Sequence, residues 1–355
     1  MVVALPLLNL PSVVFDRVLQ SFTFEELFDL SQCSKLTFNL VKNFGLGRPT
    51  IMIISIKESV SVSVYCRRTS QGANWIFYHD RDPRIMDLEN PKTCRISGCG
   101  PMDFCFVVET RMGTDYGCVS GHSVQEVLKF GLYLRSLFNG FVSMIDVKCD
   151  QRNYLDALLS IDVYRTMRKL RVDRGVVSHA EMRKILSGFV MEHMLLVCTT
   201  KPNFTFDQPI RCDSFCAIRG FWVTRQMLQN LDCKKGTVYD SSLNNVDLNE
   251  YLKTWLDGSN TKLEYIEVTN DETELEMAKI VEGIPHIPGV PKRPGATGYQ
   301  AFGDPVFYEN GVDLKRESDG MLATVVTFKD RMNHDHFLFV VWHVPDPNLV
   351  VVVNE

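Results

Sequence analysis

Residues 10–45 read LPSVVFDRVLQSFTFEELFDLSQCSKLTFNLVKNFG, and the spacing of the apolar residues in this stretch predicts three short helices. Pro11 suits the first position of a helix, because its missing N–H would have no partner there. Thr23 and Glu26 form a capping box, in which each side chain satisfies a backbone donor of the second helix. Gly45 can end the third helix in the left-handed conformation. The sequence therefore predicts an all-helical module over residues 1–48.

The pattern changes after residue 48, where β-branched and aromatic runs replace the helical spacing. Gly, Pro, Asn and Asp separate these runs, as they separate strands. The pattern therefore predicts a mostly β connecting segment over residues 49–120. Some of its strands could pair with strands later in the chain.

From residue 121 to residue 282, a short apolar strand is followed by a helix several times over. The candidate strands are Val142–Val147, Leu170–Val172, Met194–Val197, Phe215–Ile218, Gly236–Tyr239 and Leu263–Val268. Their starts lie roughly 20–30 residues apart, which is the range of leucine-rich-type repeats. One strand-helix unit cannot bury its own apolar face, but stacked units bury it together. The pattern predicts a leucine-rich-repeat-like strand-helix domain, and an ordinary α/β sheet with right-handed crossovers is the alternative.

The last part of the chain begins with a loop that is rich in proline and glycine, over residues 283–305. A β-meander is predicted over residues 306–345, with tight turns at Asn310-Gly311 and Asp319-Gly320. Its candidate strands are Val306–Tyr308, Val312–Lys315, Leu322–Phe328 and Phe337–Trp342. The predicted fold class is therefore α+β or α/β: a helical module, a leucine-rich-repeat-like strand-helix domain and a C-terminal β-meander.

The composition narrows the function classes. The chain has 355 residues, 45% of them hydrophobic and 23% charged, which is typical of a folded protein of two or three domains. The formal net charge of -5 provides no broad basic field, so nucleic acid is not an expected partner. The longest apolar runs are too short for a membrane-spanning helix. The 11 cysteines have irregular spacing, which favours reduced thiols in the cytoplasm or nucleus.

The sequence contains no strong catalytic or cofactor motif. The best metal-like cluster is His334-Asp335-His336, which lies in a polar break between two predicted strands. A metal site usually needs a third ligand from elsewhere in the chain, so a solvated turn is the preferred interpretation. The glycines form no phosphate-binding loop. We therefore expect no cofactor, no metal and no catalytic residue.

The N-terminal residues resemble the F-box, a short helical motif that docks on a Skp-type adaptor. The resemblance is carried by Leu10, Pro11, Val14, Val18, Leu19, Leu27, Leu30, Cys33 and Ser34. The run as a whole looks like the F-box of a large nematode family, in which an F-box-associated domain of type 2 follows. Residues 121–355 resemble that domain, most closely at Asn245–Asp257, Gly258-Ser259-Asn260, Leu263–Val268, Glu309-Asn310-Gly311, Asp319-Gly320 and Phe337–Trp342. The pattern departs from many F-boxes at Phe38, where a tryptophan is common.

The resemblance implies a substrate-receptor subunit of a Skp-cullin-F-box ubiquitin ligase. Such a subunit binds an adaptor and, through it, a cullin, while its C-terminal domain captures a target protein and supplies no chemistry. The residues implied in adaptor binding are Leu10, Pro11, Val14, Val18, Leu27, Cys33 and Ser34. Two alternatives stay open: an F-box protein that acts outside any ligase, and an enzyme with an unrecognised site in its α/β domain.

Overall fold

The structure of the protein is a computed structural model with two compact units, Met1–Asp173 and Arg174–Glu355. It describes residues 9–45, 50–66, 72–78, 92–95, 101–110, 113–119, 123–148, 154–270, 272–288, 300–301, 304–305 and 311–343. The predicted domain boundaries at residues 48 and 120 do not coincide with the division into units. The reason lies in the packing of the first helices, which is described below.

The three predicted helices are present at the start of the first unit. They are α1 Ser12–Ser21, α2 Phe24–Cys33 and α3 Lys35–Gly45. The Thr23 side chain accepts a hydrogen bond from the Glu26 N–H at 3.3 Å, and the Glu26 carboxylate accepts one from the Thr23 N–H at 2.8 Å. The predicted capping box therefore starts α2.

The rest of the first unit is a mixed sheet with helices. Its strands are β1 Thr50–Ile56, β2 Ser59–Cys66, β3 Gly72–Tyr78, β4 Lys92–Arg95, β5 Pro101–Thr110, β6 Gly113–Val119, β7 Phe141–Val147 and the first part of β8 Thr166–Val177. The helices are α4 Val124–Phe138, α5 Tyr154–Leu159 and α6 Asp162–Arg165. The strand order is β8-β7-β1-β2-β3-β6-β5-β4. Because β1 pairs in parallel with β7, the predicted β segment and the first predicted strand-helix unit share one sheet.

The second unit places parallel strands side by side in chain order. These are β9 Val190–Thr200, β11 Ser214–Ile218, β13 Lys235–Val238 and β14 Tyr265–Asn270. The helices are α7 His179–Gly188, α8 Arg225–Gln229, α9 Asn245–Leu256 and α10 Met277–Ile280. A short parallel pair, β10 Ile210–Arg211 with β12 Leu231–Asp232, lies beside this sheet. This order is common to both interpretations of the sequence, so the leucine-rich-repeat-like assignment stays a prediction.

Antiparallel strands complete the second unit. β15 Ile287–Pro288, β18 Val312–Lys315, β19 Leu322–Lys329 and β20 Asp335–Trp342 follow one another, and β20 pairs with β14. Two further short strands, β16 Gln300–Ala301 and β17 Asp304–Pro305, pair with each other. Three of the predicted meander strands are thus present, and the fourth, Val306–Tyr308, lies outside the described residues.

A buried arginine joins α9 to the turn between β18 and β19. The Arg316 side chain is 0% exposed, and its guanidinium donates to Asp319 at 3.0 and 2.7 Å. It also donates to the Ser259 carbonyl at 3.1 Å and to the Trp255 carbonyl at 3.4 Å. The guanidinium carbon lies 4.4 Å from the centre of the Trp255 ring. The carbonyls at the end of α9 thus receive a charged donor from the meander.

Within the described ranges, none of the helices combines the length and the apolar composition that a bilayer crossing requires.

Candidate functional site

The inner side of the N-terminal helices is fixed to the sheet of the first unit by aromatic rings. Phe24 lies edge-on to Phe138, with ring centres 5.0 Å apart. Phe28 contacts Trp75 at 5.5 Å and Phe130 at 5.9 Å. These partners belong to α4 and β3, so the helical module shares a core with the segments that follow it. This packing explains why no boundary between compact units falls at residue 48 or 120.

Polar contacts fix the same side at Tyr133 of α4. Its hydroxyl lies 2.8 Å from the Ser31 hydroxyl, and the Gln32 amide donates to it. The ring of Tyr133 lies 5.4 Å from the ring of Phe38. Phe38 stands where many F-boxes have a tryptophan, and here its ring packs on this chain's own α4.

The outer side of the module leaves apolar side chains exposed. Val13 is 72% exposed, Leu36 is 56% exposed and Val14 is 46% exposed. Pro11 is also exposed, and Leu10 is half-buried. Apolar residues within one module therefore divide between an interior side and a side that faces solvent. Several exposed apolar side chains on one small module favour a protein partner.

The other predicted adaptor-binding residues do not all lie on that side. Val18 is half-buried, and Cys33 and Ser34 are exposed at the end of α2. The Ser34 hydroxyl accepts a hydrogen bond from the Thr37 N–H at 3.1 Å and so serves as a helix cap. Leu27 is only 1% exposed, which makes it an interior residue that a partner cannot touch in this conformation. The prediction that Leu27 contacts the adaptor is therefore corrected.

A cavity of about 530 Å³ lies between α1 and α3 on the module. Its lining residues are Leu10, Ser12, Phe15, Asp16, Gln20, Leu40, Asn43 and Phe44. The apolar members suit an apolar side chain, and the polar members can donate to and accept from a backbone. Helical spacing alone could not reveal this cavity, because it forms between α1 and the C-terminal part of α3, which are separate in sequence.

The histidine cluster is only partly the solvated turn that the sequence suggested, because His334 lies in the turn before β20 with its side chain 37% exposed, whereas His336 is buried. His336 lies in β20 at 0% exposure, with its Nδ1 3.2 Å from the carboxylate of the buried Glu267. Its Nε2 lies 3.5 Å from Asp330 Oδ2, and His334 Nδ1 lies 3.1 Å from the same oxygen. The described residues contain no group of three or more His, Cys, Asp or Glu that could hold a metal ion.

The carboxyl group of Asp330 anchors this histidine network. Burial raises its pKa, but hydrogen bonds from the backbone N–H and the ring of His334, together with the nearby ring of His336, lower it. The net effect is a lowered pKa. The network thus connects the turn between β19 and β20 to β14, and we interpret it as structural.

The described cysteines include several buried thiols, at Cys66, Cys198, Cys212 and Cys233. Burial raises the pKa of Cys212 to about 12. A thiol with so high a pKa stays protonated at neutral pH and is a poor nucleophile. The burial of these four side chains suits the role of small apolar groups.

Two family models match the chain. The one described as F-box domain matches residues 7–49, and the one described as F-box associated matches residues 205–268. The second match runs from the loop before β10 into β14, so it includes α9 and leaves the meander out. The helices that carry the exposed apolar side chains thus fall inside the F-box match.

Two relatives from Caenorhabditis elegans share much of the chain. The protein named "Skn-1 dependent zygotic transcript 15 protein" is 25% identical over 295 residues, which cover 78% of this chain and 82% of that protein. The protein named "Uncharacterized protein F59B2.8" is 21% identical over 349 residues, which cover 95% of this chain and 77% of that protein. No solved structure matches the chain. The chain therefore carries an F-box followed by an F-box-associated segment, and it is similar to nematode proteins, as the resemblance predicted.

Proposed function

We propose that this protein is the substrate-receptor subunit of a Skp-cullin-F-box ubiquitin ligase. The observation that supports the proposal is the division of the F-box helices into two sides. One side is fixed to α4 and β3, whereas Pro11, Val13, Val14 and Leu36 are exposed, and a cavity that Leu10 lines lies between α1 and α3. A Skp-type adaptor would cover this outer side.

Burial of the exposed side chains would favour such an association. Full burial of a Val or Leu side chain contributes about 1.5–3 kcal/mol, so covering three partly exposed ones would contribute about 3–6 kcal/mol. Filling the cavity with an apolar side chain of the adaptor would add to this. Part of the total offsets the loss of translational and rotational freedom on binding. The proposed contact surface comprises Leu10, Pro11, Val14, Val18, Cys33 and Ser34, together with Val13 and Leu36.

The second unit would capture the target protein. Its parallel strands follow one another in chain order, and each is followed by a loop at the same edge of the sheet. Repeated strand-helix units of a leucine-rich type use such edges and faces to bind other proteins. The receptor would act by holding its target close to the ubiquitin-transfer partner, because tethering raises the effective concentration without any catalytic group. We expect this role in the cytoplasm or the nucleus.

Co-expression with a Skp-type adaptor from the source organism tests the first step. We expect the full chain to copurify with the adaptor, and the double variant Leu10→Ala, Pro11→Ala to bind at least tenfold more weakly in calorimetry. The matched control is Val190→Ala, Val246→Ala, which removes two exposed apolar side chains from the second unit. This control should bind as the wild type does.

The outcomes separate the candidate functions. A well-folded wild-type chain that binds no Skp-type adaptor would refute the receptor assignment. Binding of the adaptor followed by recruitment of a cullin supports the ligase. Binding of the adaptor in a complex that excludes the cullin would instead support an F-box protein that acts outside a ligase.

A further inference from the structure

A group of positively charged side chains lies on one face of the first unit's sheet. β1, β7 and β8 run parallel beside one another, and their register places Ser55 beside Asp146 and Asp146 beside Arg171. Successive residues of a strand point to opposite faces. The preceding residues, Ile54 and Ile145, are fully buried, so this register sends the charged residues to the opposite face.

Charges of alternating sign follow one another across the three strands. Lys57 Nζ lies 3.7 Å from one carboxylate oxygen of Asp146, and Arg171 Nε lies 3.7 Å from the other. Arg171 Nη2 also lies 2.8 Å from Asp173, and Lys148 Nζ lies 3.6 Å from the same Asp173 oxygen. Arg171 and Asp173 therefore form a true hydrogen bond, whereas both lysines stand beyond hydrogen-bond distance of their carboxylates.

Lys169 adds a further positive charge to this face. It stands two residues before Arg171 on β8, and it is half-buried. We call Lys57, Lys148, Lys169 and Arg171 the basic face. Its four cations outnumber Asp146 and Asp173 by two, although the chain as a whole has a net charge of -5. The basic face thus carries a local excess of positive charge.

Asp146 acts as the positioning residue of the basic face. Its side chain is only 10% exposed, and its Oδ1 accepts no hydrogen bond within the part of the chain that the structure describes. A buried carboxylate of this kind holds Lys57 and Arg171 near it through charge alone. The lysine side chains stay accessible, at 47% exposure for Lys57 and 34% for Lys148. Their amines therefore have donors available for a ligand.

We infer that the basic face binds an acidic, extended segment of a protein partner. Neighbouring strands lie about 4.8 Å apart, so the cations span about 10 Å across the three strands. In an extended peptide, every second side chain points the same way and lies about 6.6 Å further on. Two or three carboxylates at this spacing can each reach a lysine amine. The carboxyl ends of parallel strands are also where α/β sheets commonly bind ligands.

A protein segment fits this face better than a nucleic acid does. The excess of two charges is small beside the continuous charge of a phosphate backbone. Asp146 and Asp173 lie between the cations, where they would repel a phosphate run but leave room for spaced carboxylates. The inference rests on the proposed function in one respect, since the acidic segment would belong to the captured target.

Fluorescence anisotropy with the full chain tests the inference. The probe is a labelled twelve-residue peptide with Glu at every second position and Ser between, and the neutral probe has Gln in place of Glu. We expect the Glu peptide to bind at least tenfold more tightly than the Gln peptide at low salt, and to weaken at physiological salt because screening is stronger. The triple variant Lys57→Glu, Lys148→Glu, Lys169→Glu should lose this binding at least tenfold.

A matched control reverses three exposed lysines elsewhere, with Lys184→Glu, Lys201→Glu and Lys315→Glu. It makes the same change in net charge and should leave binding within twofold of the wild type. Equal binding of the two peptides, or an equal loss in the control variant, would overturn the inference. Tighter binding of a twelve-nucleotide single-stranded RNA that the triple variant abolishes would overturn it in favour of nucleic acid. The anisotropy assay contains no Skp-type adaptor. Binding of the adaptor to the triple variant is measured separately. The two measurements distinguish failure of the basic face from failure of the receptor assignment.

Discussion

Replacement of Arg316 should weaken the second unit more than any replacement of an exposed charge. The guanidinium makes two hydrogen bonds to Asp319, one to the Ser259 carbonyl and one to the Trp255 carbonyl, and its side chain is fully buried. Lysine carries the same charge but cannot form the bidentate contact or stack as a plane on the Trp255 ring. Arg316→Lys and Arg316→Ala therefore test geometry and charge separately.

The expected loss in the free energy of unfolding depends on which groups each variant leaves without a partner. Asp319 is 38% exposed, so water replaces part of its contact and that pair alone contributes about 1 kcal/mol or less. The carbonyls of Trp255 and Ser259 lose the guanidinium donor at the end of α9, which costs about 1–3 kcal/mol. Arg316→Ala also removes a packed side chain, and the cavity that this leaves lowers the free energy of unfolding by about a further 1–2 kcal/mol. We expect a loss of about 2 kcal/mol for Arg316→Lys and about 4 kcal/mol for Arg316→Ala.

Urea unfolding followed by tryptophan fluorescence measures this loss, because Trp255 itself contacts the guanidinium. The matched control is Arg225→Lys, since Arg225 is 49% exposed and lies 3.9 Å from Asp247. An exposed pair of this kind should change the free energy of unfolding by about 0.5 kcal/mol or less. If Arg316→Lys costs no more than this control, the argument that the guanidinium supports the end of α9 is wrong.

Two further predictions concern the two units separately. Gly131→Ala should lower the free energy of unfolding in urea by about 1–2 kcal/mol, because the new Cβ would lie 2.6 Å from the Tyr164 hydroxyl, which donates to the Leu128 carbonyl. The control is Gly175→Ala, whose Cβ would meet nothing within 4 Å and which should be nearly neutral. Equal losses for the two variants would contradict this reasoning. In the second unit the pKa of the Asp330 carboxyl is lowered below its ordinary 3.8, so its stabilising contribution is present above that value and is lost as pH falls through the lowered pKa. The difference in the free energy of unfolding between the wild type and Asp330→Asn should therefore shrink between about pH 5 and pH 2, and a constant difference would show that this carboxylate does not stabilise the fold.

Local signals predicted the elements of this fold better than its long-range contacts. The capping box at Thr23 and Glu26 depends on residues three apart, and α2 begins where that pattern places it. The strands near Phe215 and Phe337 carry alternating or continuous apolar runs that local periodicity reveals. The pairing of β1 with β7 joins residues about ninety positions apart, and no local pattern specifies it. The division into compact units at Asp173 and Arg174 likewise depends on long-range contacts that local patterns do not specify.

The candidate site divides in a similar way. Pro11 and Val14 are exposed, and the F-box resemblance had assigned them to a partner. Leu27 has the same chemical character and the same helical spacing, yet it is buried. The tertiary packing of the helices distinguishes the two cases, and the helical spacing of apolar residues does not specify that packing. The burial of His336 could not be predicted for a related reason, because its partner Glu267 lies on a strand that is distant in sequence.

The packing of the inner side of the F-box should strengthen binding at its outer side. Three short helices on their own would bury too little apolar surface to be stable, and a partner would then have to order them on binding. Here the contacts of Phe24 and Phe28 with α4 and β3 order the helices before any partner arrives. The helices then lose less conformational entropy on binding. More of the favourable free energy from burying Val13, Val14 and Leu36 therefore contributes to the affinity. The inner aromatic residues should therefore influence adaptor affinity although a partner cannot touch them.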